Sequence, residues 1–385
     1  MSPGRRAAIV GIAEVPPRRE TRGETTLGMI AEVSRRALED AGVHHSKVDA
    51  LFVGPQVGET PQHVPATVAE YLGLQPSVAG LVDLGGASAA SMVWRAGAAI
   101  EFGMCSTALC VLANTRDPAN PLRSPNRNPI REFDVPFGAS GANQAYAMVA
   151  TAHMAQFGTS EEELARIAVL ERMNAQLNPD AIFYGAPITV EDVLESPIIA
   201  SPLHLLEAVM PCAGAAAVVV TAGNYAGECR HPPVFLRGAG EKVTHRALSQ
   251  APELTTSPLK DAIAHAYRMA GTSVHEIDVF SFYDCYTIMV GITIEDAGLC
   301  AKGEFGPFVA ANDFSPVGRT PINTHGGQLG CGQADLAGGM GHVVEAVHQL
   351  RGSGGRRQVP DARLALVTGN GATMSEGSAL ILGAD

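Results

Sequence analysis

Two apolar runs of this chain end in side chains that can handle protons. One opens at Asp278-Val279 and closes on Phe282-Tyr283-Asp284-Cys285-Tyr286; the other is Pro321-Ile322-Asn323-Thr324-His325-Gly326-Gly327. Groups at the ends of buried elements are held rigidly by the scaffold behind them. His325 titrates near neutrality and the glycines after it let backbone approach a ligand, so it is the leading polar candidate, against the alternative of a turn histidine bonded to backbone. Asn323 reads as support for that loop. Tyr283 is either an acid/base or a hydroxyl donor. To act as a base near pH 7 its pKa must fall by about 3 units from ~10, roughly 4 kcal/mol, so the donor role is the easier one. A packed tyrosine with a bonded hydroxyl is the alternative. Asp284 falls on the opposite side of the strand from Tyr283, where it reacts, caps or bridges. Tyr283 and His325 form the expected acid/base pair.

Gln333 cannot titrate and is assigned to orientation or an oxyanion hole. Gly327 and the run Gly369-Asn370-Gly371 offer backbone N–H groups to an oxyanion, or are ordinary tight turns. Cys285 and Cys331 are either displaced nucleophiles or, lacking a flanking histidine, small buried hydrophobes. His204 lies in an apolar, helix-like run, Pro202 to Leu206, and reads as a satisfied core histidine.

The elements that position these groups follow from period. Ala7 to Ile12 is an apolar run of strand length, followed by a helical pattern from Thr25 to Ala41 that stops at Gly42, then a strand from Val48 to Gly54. The order recurs: strand Pro233 to Gly238, helix Ser257 to Ala270 stopping at Gly271, strand Ile277 to Tyr283. Gly85-Gly86, a helix from Ser88 to Phe102 and a strand at Ala108–Leu112 are matched by Gly338-Gly339, a helix from Gly341 to Leu350 and a strand at Leu364–Val367. Two similar α/β halves are expected, with a site where their helix N-termini and strand ends converge. Residues 116–211 interrupt the first half: a loop rich in proline, asparagine and arginine, then helical patterns at Asn143–Phe157 and Ser160–Leu177.

The bulk composition sets limits on this picture. The chain has 385 residues, 46% hydrophobic and 17% charged, with 42 glycines, as expected of a compact α/β enzyme. A net charge of −12 speaks against nucleic acid and anionic membranes as partners. No run of about 20 apolar residues occurs and the N-terminus shows no signal-peptide core, so no membrane span and a cytoplasmic location are expected. Seven cysteines without a CxxC pair point to neither a disulfide framework nor a metal site.

Three segments carry a resemblance: Asp278-Val279 through Asp284-Cys285-Tyr286-Thr287, Glu295-Asp296-Ala297-Gly298-Leu299-Cys300-Ala301-Lys302-Gly303-Glu304, and Asn323-Thr324-His325-Gly326-Gly327-Gln328-Leu329-Gly330. They resemble thiolases of the sterol carrier protein-x and lipid-transfer-protein type, over nearly the whole chain. The resemblance implies two fused βαβαβ halves in an α-β-α-β-α layering, a homodimer, and an acyl-coenzyme A substrate bound beneath a loop insertion, with no covalently bound cofactor. It divides the chain into a first half (1–115 and 212–232), an inserted loop domain (116–211) and a second half (233–385). Arg116, Arg123, Arg127 and Arg131 in the insertion would meet the coenzyme A phosphates, or are solvated loop cations.

Against that pattern four positions depart. Gly86 stands where the nucleophilic cysteine belongs, at a helix tip that would lower a thiol's pKa. Tyr283 replaces an asparagine or histidine, Gln333 the histidine of Gly-His-Pro, and Val367 the second cysteine. The same losses are similar to steroid side-chain retro-aldolases of this fold, which cleave β-hydroxyacyl-CoA and work with a small zinc-ribbon/OB-fold partner. Retro-aldol chemistry needs a base on the β-hydroxyl and donors to the thioester enolate, but no thiol. The expectation is C–C bond cleavage or formation on acyl-CoA. An acyltransferase using Cys285 or Cys331, and a non-catalytic CoA-binding subunit, are the alternatives.

Overall fold

The computed structural model describes residues 6–55, 63–116, 134–139 and 141–384. The first half runs β1 (Ala7–Arg18), α1 (Thr26–Ala41), β2 (Ala50–Val53), α2 (Val64–Leu72), β3 (Val78–Leu81), α3 (Ser88–Phe102) and β4 (Thr107–Asn114). Helices α4 (Ala142–Phe157), α5 (Glu161–Ala175) and α6 (Val190–Glu195) and the strands β5 (Ile198–Ala200) and β6 (Leu203–His204) intervene before β7 (Ala213–Ala222) and the single turn α7 (Gly223–Ala226). The second half runs β8 (Val234–Val243), α8 (Leu259–Ala270), β9 (Val279–Ser281), α9 (Thr287–Asp296), α10 (Phe305–Ala311), α11 (Gly327–Cys331), α12 (Leu336–Leu350), β10 (Leu364–Gly371) and β11 (Glu376–Gly383).

Local chemistry sets the helix ends. The Thr25 side chain accepts from the Gly28 N–H at the start of α1, and Gly42, at φ 70°, closes it in the left-handed conformation that glycine adopts without strain. The strands β4 and β7 are buried along their whole length, which is why they read as continuous apolar runs rather than alternating ones.

Nine strands form one mixed sheet in the order β3-β2-β4-β7-β1-β8-β11-β10-β9. Strand β2 is parallel to β3 and β4, and β9 to β10; the other neighbours are antiparallel. The halves repeat one topology. Where β3 flanks β2 in the first, a parallel bridge between Phe280 and Ile322 flanks β9 in the second. Among the described residues their strands pair at Ala8↔Phe235 and Ile9↔Val234. Helices α3 and α12 pack together between the two half-sheets, where Met92, Val93, Met340 and Val343 meet Val218 of one half and Leu380 of the other. Helix α1 covers the outer face of the first half, and α8, α9 and the intervening helices that of the second. This is the α-β-α-β-α layering.

Some boundaries differ from expectation. Helix α12 starts at Leu336 rather than Gly341, because burial between the sheets outweighs the low helix propensity of Gly338 and Gly339. The strand expected to reach Tyr283 ends at Ser281. Asn323 takes over there: its Oδ1 accepts the Phe282 N–H at 2.7 Å and its Nδ2 donates to the Phe282 carbonyl at 2.9 Å. Tyr283 and Asp284 therefore stand in the loop before α9. His204 lies in β6, not in a helix, and is buried against Glu207, Nδ1 to Oε2 3.1 Å. Among the described residues no helix is long and apolar enough to cross a membrane.

Candidate active site

Helix α3 points its N-terminus at the end of β9, and the turn Gly85-Gly86-Ala87 meets Tyr283 there. A Cβ on Gly86 would lie 2.1 Å from Tyr283 Cζ and 2.3 Å from its Oη. The phenol thus fills the space of a side chain at Gly86, and any residue larger than glycine must displace it. Gln333 Nε2 donates to Tyr283 Oη at 2.8 Å, leaving the tyrosine's own hydrogen for another acceptor. Burial pushes the Tyr283 pKa well above the ordinary tyrosine range, and negative charge at Cys285 or Asp335 would act the same way. The group stays protonated, so the base role weighed for it is set aside and the donor role remains.

Tyr283 sits at the polar end of a cavity of about 770 Å³. Tyr146 and Tyr286 stack there with ring centroids 4.4 Å apart, and Asn370 Nδ2 donates to Tyr146 Oη at 2.6 Å. The opposite flank is apolar, formed by Ile199, Leu205, Leu206, Val209 and Met210. Arg172 reaches the cavity with its guanidinium over the Phe183 ring, 4.0 Å from the centroid, and donates to the Ala186 carbonyl. Gly86, Gln333, Asn370 and Gly371 all line this space.

His325, Gly327 and Cys331 do not. They line a second cavity of about 370 Å³ with Glu14, Glu345 and Arg357. The buried ring of His342 lies between, its centroid 6.1 Å from that of Tyr283 and 5.2 Å from that of His325. The Tyr283–His325 acid/base pair is therefore not assembled. Burial lowers His325 to a pKa of about 4, so it is neutral at physiological pH, and its Nδ1 has no hydrogen-bond partner among the described residues.

Asp284 is structural. Its carboxylate accepts the N–H groups of Gln328 and Leu329, both at 2.9 Å, capping α11, and its Oδ1 is 3.0 Å from His342 Nε2. Burial alone would raise its pKa, but hydrogen bonds from His342 and Glu171 hold it well below the usual carboxylate range, while burial and the Asp284 charge push Glu171 up. Gly327, at φ 60°, serves this cap: a Cβ there would lie 2.1 Å from Asp284 Oδ2. Gly369 does not line the Tyr283 cavity; its Cα faces the start of α3, where a Cβ would fall 2.8 Å from Ala87 Cα. Arg116 donates to the Pro211 carbonyl at the surface, and Arg123, Arg127 and Arg131 lie outside the described residues.

Comparison with known proteins places this geometry. Over 98% of both chains, 32% of residues are identical to the Steroid side-chain-cleaving aldolase of Thermomonospora curvata. The chain belongs to the thiolase superfamily. Residues 240–384 match the family described as Thiolase C-terminal domain-like. The Acetyl-CoA acetyltransferase of Methanothermobacter thermautotrophicus is 30% identical over 90% of this chain and 91% of its own. Among solved structures, the Ltp2-ChsH2(DUF35) aldolase superposes with a TM-score of 0.90 at 31% identity, covering 100% of this chain and 99% of that one. The protein is an enzyme of the thiolase superfamily, and its relatives include both an aldolase and an acetyltransferase at nearly equal identity.

Identity therefore does not choose between the chemistries of this thiolase-superfamily enzyme; its thiols do. Burial pushes Cys285 up to about 12 and Cys331 well above the ordinary thiol range. Among the described residues no imidazole nitrogen is hydrogen-bonded to either sulfur. Neither is poised as a thiolate. Nor do the described residues contain a group of three or more metal-binding side chains placed to hold an ion. Asp335, Tyr146 and Tyr286 line the Tyr283 cavity but were not read as site residues from the sequence. The signal that points to Asp335 is its place two residues after Gln333, an acidic side chain beside a residue already assigned to the site.

Proposed function

We propose that this enzyme cleaves the Cα–Cβ bond of a β-hydroxyacyl-CoA by retro-aldol chemistry, without a covalent acyl intermediate. The observation that carries this reading is the Tyr283 phenol in the space of the missing side chain at Gly86. A neutral hydroxyl at that helix tip donates a hydrogen bond to the thioester oxygen as charge develops on it. The β-hydroxyl loses its proton, the β-carbon becomes a carbonyl, and the Cα–Cβ pair moves into the enolate. Reprotonation at Cα then leaves a shortened acyl-CoA and a free aldehyde or ketone. Gln333 fixes the tyrosine, and Asn370 and Gly371 line the same space.

The substrate class follows from the relatives' names and from the cavity. A relative named for steroid side-chain cleavage and an apolar flank beside a space of about 770 Å³ support a bulky acyl group. A structural relative named for two components, Ltp2 and ChsH2(DUF35), supports a small partner protein; both would work in the cytoplasm. A homodimer is supported by β3, the outermost strand at one end of the sheet, with Leu81 49% exposed. The acyltransferase reading has no supporting thiol. The test is incubation with 3-hydroxyacyl-CoA thioesters bearing bulky and short β-substituents, with aldehyde or ketone release followed by chromatography. Release of a carbonyl compound with the matching acyl-CoA is expected; thiolytic acyl transfer with no carbonyl product would overturn the reading.

A further inference from the structure

Retro-aldol cleavage requires a group that takes the β-hydroxyl proton, and the two residues expected to supply one do not. Tyr283 is held protonated, and His325 faces the other cavity. The described residues lining the Tyr283 cavity can be sorted by what they can do with a proton. Arg19 and Arg172 are cations. Tyr146, Tyr283, Tyr286 and Cys285 are all pushed up by burial and keep their protons near neutrality. No histidine lines it, and the single carboxylate is Asp335.

Asp335 has further marks of a working group. It lies two residues after Gln333, the residue that fixes Tyr283, and just ahead of α12. Among the described residues its carboxylate has no hydrogen-bond or ion-pair partner, whereas those of Asp284, Glu171 and Glu241 are all bonded. It caps nothing: α12 has no side-chain cap bond, although Asp335 stands at the capping position. Its backbone sits at φ 46°, ψ −123°, which a residue with a side chain rarely adopts and which surrounding structure must enforce. The charged and titratable groups around it are Asp83 from the β3–α3 connection, Tyr283 and Cys285 from the β9–α9 loop, Tyr286 at the start of α9, Tyr146 from α4, and Arg19 and Arg172 across the cavity. Burial, and next the Asp83 charge, raise its pKa above the ordinary aspartate value, toward the range in which a carboxylate is an effective base.

We infer that Asp335 is the general base that takes the β-hydroxyl proton, working opposite the Tyr283 hydroxyl that holds the thioester oxygen. This assignment rests on the retro-aldol reading. The proton passes from the β-oxygen to the Asp335 carboxylate as the C=O forms and the Cα–Cβ bond breaks into the enolate. The resulting carboxylic acid returns that proton to Cα, so the base is regenerated and no co-reactant is consumed. In reverse, Asp335 removes a Cα proton from the acyl-CoA product.

Asp335→Asn tests this directly, because asparagine keeps the shape and removes the charge. The full chain, with any partner it requires, is assayed for carbonyl release from the 3-hydroxyacyl-CoA panel and for Cα deuterium exchange of the acyl-CoA product in D₂O. Asp335→Asn is expected to lower kcat by about 10²- to 10⁴-fold with KM within a few-fold, and to remove the acid limb of the kcat/KM profile. Asp335→Glu should recover part of the rate, and circular dichroism should match wild type. Wild-type turnover with Asp335→Asn within threefold of it and the acid limb intact would overturn the assignment while leaving the retro-aldol reading standing. Absence of carbonyl release by the wild type would overturn that reading, and this assignment with it.

Discussion

The cavity at Tyr283 and the cavity at His325 draw on the same stretches of chain, yet hold opposite chemistry. One has a protonated phenol at a helix tip, two further tyrosines, an unpaired carboxylate and an apolar flank. The other has a neutral histidine and a buried Glu345–Arg357 pair, 2.8 Å apart, with Thr324 donating to Glu345. Between them stands the network of Ser281, His342 and Asp284. Motif residues side by side in the sequence are split here by one buried ring, so that a loop which looks catalytic is the brace of the site next to it.

The largest effect is expected at Gly86. Gly86→Ala puts a Cβ inside the Tyr283 ring, and because small misplacements of a catalytic group cost about 10²-fold or more, kcat is expected to fall by roughly 10³-fold. Thermal unfolding should show a loss of about 1–3 kcal/mol from overpacking. Retained activity would mean that the phenol does not need this place. Next is Tyr283→Phe, which removes the donor and leaves the fold: kcat should drop about 10²- to 10³-fold, with circular dichroism unchanged.

The dividing network should respond in stability rather than chemistry. Asp284→Asn leaves His342 and two backbone N–H groups without their anionic acceptor, and a loss of about 3 kcal/mol is expected, read from the urea midpoint at unchanged slope. A loss below about 1 kcal/mol would show that the carboxylate's charge is not what holds α11.

The smallest effect on catalysis is expected at His325. His325→Asn should leave kcat within about threefold, since it faces away from Tyr283. Its signature is in pH. The folded value of about 4 lies below the unfolded 6.5, so the unfolded chain binds the proton first. That contribution is present above pH 6.5 and is lost as pH falls toward 4. The variant should flatten the fall in Tm across this window. A further fall below pH 4.5 should persist in both proteins, because Glu345 is held at about 2; burial opposes this and Arg357 outweighs it.

Much of the fold was legible because its signals are local. Thr25 and Gly42 bound α1, Ser88 and Phe102 are the ends of α3, and the glycine pairs Gly85-Gly86, ahead of α3, and Gly338-Gly339, in the first turn of α12, mark the duplicated unit. Gly86 and Tyr283 were legible as an altered pair, and the structure adds that each explains the other. The orientation of the Asn323–Gly330 loop was not legible. Nothing local says that Asp284 would cap α11 and turn His325 away, since that depends on contacts made 44 and 45 residues apart. Asp335 was not legible for the same reason: the sequence leaves it in the run between Gln333 and a helix expected from Gly341, and only the tertiary structure brings it to the Tyr283 cavity.

The central claim is that bonds to carbon break here with no atom of the enzyme joined to substrate. Intact-protein mass spectrometry of the wild type, quenched during turnover of a 3-hydroxyacyl-CoA, measures that directly. The account predicts carbonyl product in the supernatant and a protein mass equal to that of the unreacted chain; an acyl increment localised to Cys285, Cys331 or any other cysteine would contradict it.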